Sequence, residues 1–174
     1  IQHATGRTET CDFGALADLS SQWGHALAAR GVEKADRVGL VLHPGLHFYA
    51  ALFGILKLGA VAVPLYPLFG PEAMRARLDY ARPKMLIVED EAMRDVVGPG
   101  HACTVLDRTV EAEVARQSTQ LEARTYARDD AILQFTSGTT RMMPDPIHQK
   151  HRTVVTSLMP AIYGYGVARE DRYL

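Results

Sequence analysis

Apolar positions along this chain switch between two periods. Leu16, Leu19, Trp23, Ala26 and Leu27 recur at spacings of three and four, and Gly31 follows where such a run would stop. That pattern predicts an amphipathic helix over 13–30. Val38-Gly-Leu-Val-Leu-His43 is short and almost wholly apolar, as suits a parallel strand covered on both faces. Pro44-Gly45 then turns the chain into a helix of small and apolar residues over 46–58. Gly59 ends that helix, and 60–66 reads as the next strand. Pro71 is placed to open a basic amphipathic helix over 72–81, and 84–89 is a third buried strand. A short helix over 91–97 is closed by Gly98-Pro-Gly100 and followed by a strand over 103–106. Residues 109–127 are charged and weakly periodic, which predicts exposed helix and linker. A strand over 131–135 and a helix from about His148 to Tyr163 complete the reading. Strands and helices alternate throughout. The expected class is therefore α/β, a layered and predominantly parallel sheet with helices on both faces.

The stretch 48–69 is long enough to cross a bilayer and carries a single charge, Lys57. Gly59, Pro64 and Pro67 would break a spanning helix, so it reads as a buried helix running into a buried strand, with no membrane span. The N-terminal residues carry no basic region followed by an apolar one, the mark of a secretory leader. Neither an initiator Met nor a natural stop frames the chain, since a new apolar segment begins at Tyr173-Leu174. Both ends read as cut. The 19 Lys and Arg are matched by 20 Asp and Glu with no basic run, which excludes a partner held by charge such as nucleic acid. Cys11 and Cys103 cannot build a disulfide scaffold and neither lies in a CxxC, so a reducing cytoplasm is expected.

One segment carries chemistry. Gln134-Phe-Thr-Ser-Gly-Thr-Thr140 is the end of a predicted strand emptying into small hydroxyl residues around a glycine. Gly138 lets the backbone turn sharply and approach a ligand. Successive N–H groups can then form a concave donor nest, to which Thr136, Ser137, Thr139 and Thr140 add hydroxyls. Arg141 adds a planar cationic fork suited to phosphate or carboxylate. The same composition also describes an ordinary polar turn. Other readings fail on residues: there is no GxxxxGK[ST] and no GxSxG, and Gly164-Tyr-Gly166-Val-Ala-Arg169 has Arg where a dinucleotide fingerprint needs its third Gly. His148 and His151 lack a Cys or carboxylate at ligand spacing and read as a structural pair, so no metal ligands are assigned. Cys103 beside His101 has no third partner.

With these residues in place, the chain resembles the acyl-adenylate-forming superfamily, which contains acyl-CoA synthetases, firefly luciferase and the adenylation domains of nonribosomal peptide synthetases. Phe135-Thr-Ser-Gly-Thr-Thr140 with Pro144 soon after is similar to its phosphate-binding signature. Leu16-Ala-Asp-Leu-Ser20, Leu27-Ala-Ala-Arg-Gly-Val32 and Asp36-Arg-Val38 resemble its opening helix, turn and first strand. Phe53-Gly-Ile-Leu-Lys-Leu-Gly-Ala-Val-Ala-Val-Pro64 is similar to its helix-strand element. The resemblance implies that residues 1–174 are part of the large N-terminal, AMP-binding domain of an enzyme several-fold longer. It implies an ATP-dependent carboxylic acid:CoA ligase that forms an acyl-adenylate and then a thioester, with ATP, magnesium and coenzyme A as its companions. Thr136, Ser137, Gly138, Thr139, Thr140 and Arg141 would bind the nucleotide phosphates, and no catalytic residue is assigned. Two departures stand out. Arg141 occupies the place of the usual Gly, and Asp145 that of a usual Lys after proline. The alternatives are a non-catalytic nucleotide- or partner-binding module, which Asp145 favours, and an amino-acid-activating domain of a peptide synthetase. The missing remainder implies that the 174-residue chain is inactive alone and, with apolar surface uncovered, self-associates.

Overall fold

Short apolar strands hold this chain together because each alternates its side chains between two helical layers. A computed structural model describes residues 10–123, 125–135 and 146–168. Its helices and strands are α1 Phe13–Ala29, β1 Arg37–Val41, α2 Leu46–Leu58, β2 Val61–Pro64, α3 Pro71–Ala81, β3 Met85–Val88, α4 Glu91–Val97, β4 Cys103–Val105, α5 Arg108–Ala115, β5 Asp130–Phe135, β6 Pro146–Lys150 and α6 His151–Thr156. A single π turn, Pro160–Gly164, follows. The strands lie in the order β4-β3-β1-β2-β5-β6, parallel through β5. On one face Val38, Leu40, Ala62 and Ile87 pack against Trp23 and Leu27 of α1, Ile55 of α2 and Val114 of α5. On the other, Val41, Val63, Leu86 and Leu133 pack against Met74 and Leu78 of α3 and Val97 of α4. Burying such runs on both faces is what a parallel sheet with crossover helices requires.

Local signals set the helix ends. The carboxylates of Asp12, Asp90 and Asp107 accept from the backbone N–H three residues on, at 2.7, 2.8 and 2.8 Å, and cap α1, α4 and α5. Gly59 closes α2 at φ 79°, where a side chain would be strained. Lys57 ties α2 to α1 by donating to the Ala17 carbonyl (2.7 Å) and Ser21 Oγ (2.9 Å). Burial pulls its ammonium pKa down, partly offset by Asp18.

The layered α/β class, the largely parallel sheet and the helices on both faces agree with the sequence reading. One element does not. Instead of a helix from His148, residues 146–150 form β6, an antiparallel edge strand, and α6 begins at His151. Pro146 is tolerated there because it pairs at the first position of an edge strand, opposite Phe135. The free rim of β5 captures a segment whose own pattern is undecided. His148 and His151 thus lie on different elements and share no helix face. An irregularity between Asp130 and Ile132 brings Ala131 and Ile132 to the first layer and returns Leu133 to the second. Among the described residues no helix is long and apolar enough to cross a membrane.

The strand–helix junction at His151 has a pH consequence. Its Nε2 is buried without a partner, while its backbone N–H donates to the Asp129 carbonyl at 3.0 Å. Burial holds the imidazole pKa below its usual 6.5, the Asp129 carboxylate opposes this, and Lys34 adds to it. The folded state therefore resists a proton that the unfolded state accepts. Stability contributed by neutral His151 is present above about pH 6.5 and lost as pH falls through that value towards the depressed one. The urea midpoint should be lower at about pH 5.5 than at about pH 7.5, and His151→Gln should shrink the difference. An equal drop in the variant would assign the acid sensitivity to other groups.

Candidate functional site

All five parallel strands end at one edge, and chemistry in open α/β sheets gathers at that edge. β1 is followed by α2 on one face of the sheet and β3 by α4 on the other. The crevice beyond their carboxyl ends is the point where the winding reverses. Here Glu89 accepts from the His43 backbone N–H at 3.1 Å and pairs through the same oxygen with His43 Nδ1. The carboxylate fixes the ring's orientation, and both side chains remain open to solvent.

Next along the edge, the ends of β1, β2 and β5 enclose a cavity of about 150 Å³. Leu42, Phe48, Tyr66, Phe69 and Phe135 line it, so its walls are mainly apolar and aromatic. Phe135 is the last residue of β5, and Pro146, the first of β6, pairs directly with it. The connection between these two residues is the hydroxyl-rich segment. Thr136, Ser137, Gly138, Thr139, Thr140 and Arg141 themselves, with Asp145, lie outside the described residues. Only their attachment is in view: both ends of the segment leave the sheet at its carboxyl edge, beside the aromatic cavity.

Beneath Phe135 sits a residue that the sequence reading passed over. Arg77 belongs to α3, where it shares the buried stripe of Met74, Leu78 and Ala81. It is only 6% exposed. Its guanidinium lies over the Phe69 ring at 3.9 Å and nearer Phe69 than Phe135, which stands 5.7 Å away. Tyr80 meets Phe135 edge to face at 6.0 Å. Burial pulls the guanidinium pKa down. The spacing was a usable signal, since an Arg three residues after Met74 and four before Ala81 must face the core with them.

Cys103 is half-buried in β4, where burial pushes its thiol pKa up against the pull of Arg94. That is the opposite of an activated nucleophile. Cys11 is exposed, and both cysteines are free. Among the described residues no group of three or more His, Cys, Asp or Glu is arranged to hold a metal ion.

Comparison with known proteins gives this edge a context. The family described as "AMP-binding enzyme" matches residues 2–174. Indigoidine synthase from Streptomyces lavendulae is 28% identical over 156 residues, covering 87% of this chain and 12% of that protein. A putative 4-coumarate–CoA ligase-like 8 from Oryza sativa subsp. japonica is 36% identical over 136 residues, covering 74% of this chain and 22% of its own length. The crystal structure of the anthranilate CoA ligase AuaEII in complex with anthranoyl-AMP superposes with a TM-score of 0.74 at 26% identity, over 86% of this chain and 30% of that one. This chain therefore spans less than a third of each of these proteins.

Proposed function

Because the chain belongs to the AMP-binding enzyme family, we propose that it forms part of the N-terminal domain of an ATP-dependent carboxylic acid:CoA ligase. In this reading a carboxylate oxygen of the acid attacks the α-phosphorus of ATP, pyrophosphate leaves, and an acyl-adenylate results. The thiolate of coenzyme A then attacks the acyl carbon, and AMP departs. The observation that carries the reading is the attachment of Thr136-Ser-Gly-Thr-Thr140 to the carboxyl end of β5. Its donors are proposed to cradle the β- and γ-phosphates, with Arg141 supplying a cation. A pre-arranged set of donors stabilises charge building on the phosphates without reorganising at the moment of reaction. Magnesium would neutralise part of the triphosphate charge; among the described residues no group of three or more His, Cys, Asp or Glu is arranged to hold it, and no step here runs through it.

Likeness to an anthranilate CoA ligase and to a CoA ligase-like protein supports coenzyme A as acceptor and a simple carboxylic acid as substrate. A second reading has its own support. Indigoidine synthase and a mycosubtilin synthase of Bacillus subtilis cover 87% and 91% of this chain, which favours an amino-acid-activating domain. There the adenylate passes to a carrier thiol. The two free cysteines are consistent with the cytoplasm as the proposed compartment. Exposed Leu158, Met159, Ile162 and Tyr163 support self-association of the isolated chain.

The test is acid-dependent exchange of labelled pyrophosphate into ATP, by a polypeptide in which this chain continues through the rest of the family's two domains. Exchange with simple acids followed by CoA thioester formation is expected. Exchange with amino acids and no CoA product would select the second reading, and none with either class would overturn both. The 174-residue chain alone is expected to show no exchange, since it spans less than a third of its ligase relatives. Acyl-adenylate formation by that chain would disprove this.

A further inference from the structure

The amino edge of the sheet, opposite the crevice described above, carries a second concave surface. The chain enters β1, β2 and β5 there, at Arg37, Val61 and Asp130, and the antiparallel β6 ends there at Lys150. These ends and the turns before β1 and β5 enclose a cavity of about 420 Å³. That lies within the ~300–1,000 Å³ typical of small-molecule sites. Lys34, Arg37, Arg128 and Lys150 line it, against the carboxylates of Asp129 and Asp130, and His148 is the remaining titratable group on its wall. Pairing among these charges is unequal. Lys34 meets Asp129 and Lys150 meets Asp130, each at 2.6 Å. Both carboxylates thus hold a lysine, and among the described residues neither Arg37 nor Arg128 forms an ion pair.

Arg37 Nη1 donates to the Ala81 carbonyl at 2.8 Å, at the last residue of α3, which orients the guanidinium without neutralising it. Arg128 stands over the Tyr126 ring at 5.7 Å, and Lys34 Nζ lies 4.7 Å from the centre of the same ring. A ring face attracts a cation but does not cancel its charge. One ring therefore gathers two cations beside a cavity whose carboxylates are already taken. Positive groups crowded round a hollow repel one another and focus their field on an incoming anion. A guanidinium, moreover, presents its N–H groups as a planar fork matched to two oxygens of one phosphate. We propose that this amino-edge cavity is an anion site for a small molecule carrying a dianionic phosphate group, gripped by Arg37 and Arg128. The two positive charges left unpaired match the two negative charges of one such group. Asp129 and Asp130 repel any further negative charge, which favours a single phosphate over a chain of them. The cavity is built wholly from other residues than 136–141, so the inference does not rest on the phosphate-binding reading of that segment.

The experiment titrates inorganic phosphate and glycerol 3-phosphate into the 174-residue chain by calorimetry at low ionic strength. Wild type is compared with Arg128→Gln, Arg37→Gln, Arg94→Gln and Thr140→Ala. Arg128 is exposed, so its replacement disturbs the fold least. Arg128→Gln should weaken binding by about tenfold, the loss of one charge-assisted hydrogen bond. Arg37→Gln keeps a donor for the Ala81 carbonyl and should act alike; if it does not fold, Arg128→Gln decides alone. Arg94 carries the same charge on α4, outside the cavity and paired with Glu91 at 3.3 Å, so Arg94→Gln should bind within about twofold of wild type. Thr140→Ala should do so too. Equal affinity for the two probes assigns the phosphate group alone as ligand, and tighter binding of the ester assigns an organic phosphate; either upholds the site. Affinity within about twofold of wild type in Arg128→Gln overturns it, and a loss in Thr140→Ala instead would put the anion on the hydroxyl-rich segment. Equal losses in Arg94→Gln and Arg128→Gln would reduce the binding to diffuse attraction and overturn the site as well. So would a wild-type chain that binds neither probe.

Discussion

Gly54→Ala should destabilise the chain by about 2 kcal/mol, and Gly54→Val should leave it largely unfolded at room temperature. Helix propensity argues the reverse, because alanine in a helix interior is favoured over glycine by about 1 kcal/mol. Geometry decides against propensity here. A Cβ built on Gly54 would stand 2.6 Å from the Ser20 carbonyl oxygen, 2.8 Å from Trp23 Cβ and 2.9 Å from the Gly24 nitrogen. Two of these are backbone atoms of α1, so α1 and α2 would have to separate, and with them the layer that buries Trp23, Leu27 and Ile55. An overpacked core costs roughly 1 to 3 kcal/mol, backbone contact puts this site near the upper end, and the helix preference for alanine subtracts about 1 kcal/mol from it. Gly24 supplies the comparison. The closest atom to a Cβ there is Leu121 Cδ2 at 2.3 Å, the tip of a flexible side chain, although the Gly54 carbonyl follows at 3.2 Å. Gly24→Ala should therefore cost less than Gly54→Ala. Urea midpoints of the two variants check the order, and a Gly54→Ala chain as stable as wild type would show that the helices cross less closely than described.

Thr140→Ala is expected to lower ATP-dependent kcat/KM by about ten- to a hundredfold in a polypeptide that carries the rest of the family's domains. Thr139→Ala should act similarly. In the phosphate-binding reading proposed above, each change removes a hydrogen bond to a charged ligand, worth roughly 1.5 to 3 kcal/mol. Loop hydroxyls contribute little to folding, so the stability cost should stay under about 1 kcal/mol. The separation of the two effects is the test: comparable losses of stability and of ATP use would return the segment to the status of an ordinary polar turn. Arg141→Ala is the sharper variant. If Arg141 replaces the cation that a lysine at 145 would bring, its removal should weaken ATP use strongly, and Asp145→Lys should be neutral or mildly helpful. Unchanged ATP kinetics in Arg141→Ala would mean that its guanidinium points elsewhere and that the missing cation comes from another part of the enzyme.

Alternating periodicity was enough to read α1 through β3 from the chain, because these strands are apolar on both sides and these helices carry an apolar stripe, whereas α5 lies in the charged, weakly periodic stretch 109–127. Gly31, Gly59 and Pro71 mark helix boundaries by backbone chemistry alone, with no partner needed from elsewhere in the fold. The order of residues also carried the family, since its signature is a local string that needs no distant partner to be recognised. Other features depend on partners far away in sequence. Pro146-Ile-His-Gln-Lys150 has no strong period of its own and becomes a strand because β5 offers an unpaired rim. His43 and Glu89 meet because β1 and β3 are neighbours, with β2 displaced to the far side of β1. Spacing puts Arg77 on the buried stripe of α3, but the rings that close over its guanidinium, Phe69 and Phe135, come from before and long after it in the chain. Periodicity acts between residues a turn or two apart and is legible in a linear string. Strand order, edge capture and the enclosure of a charge are set by which surfaces remain unburied once the layers assemble.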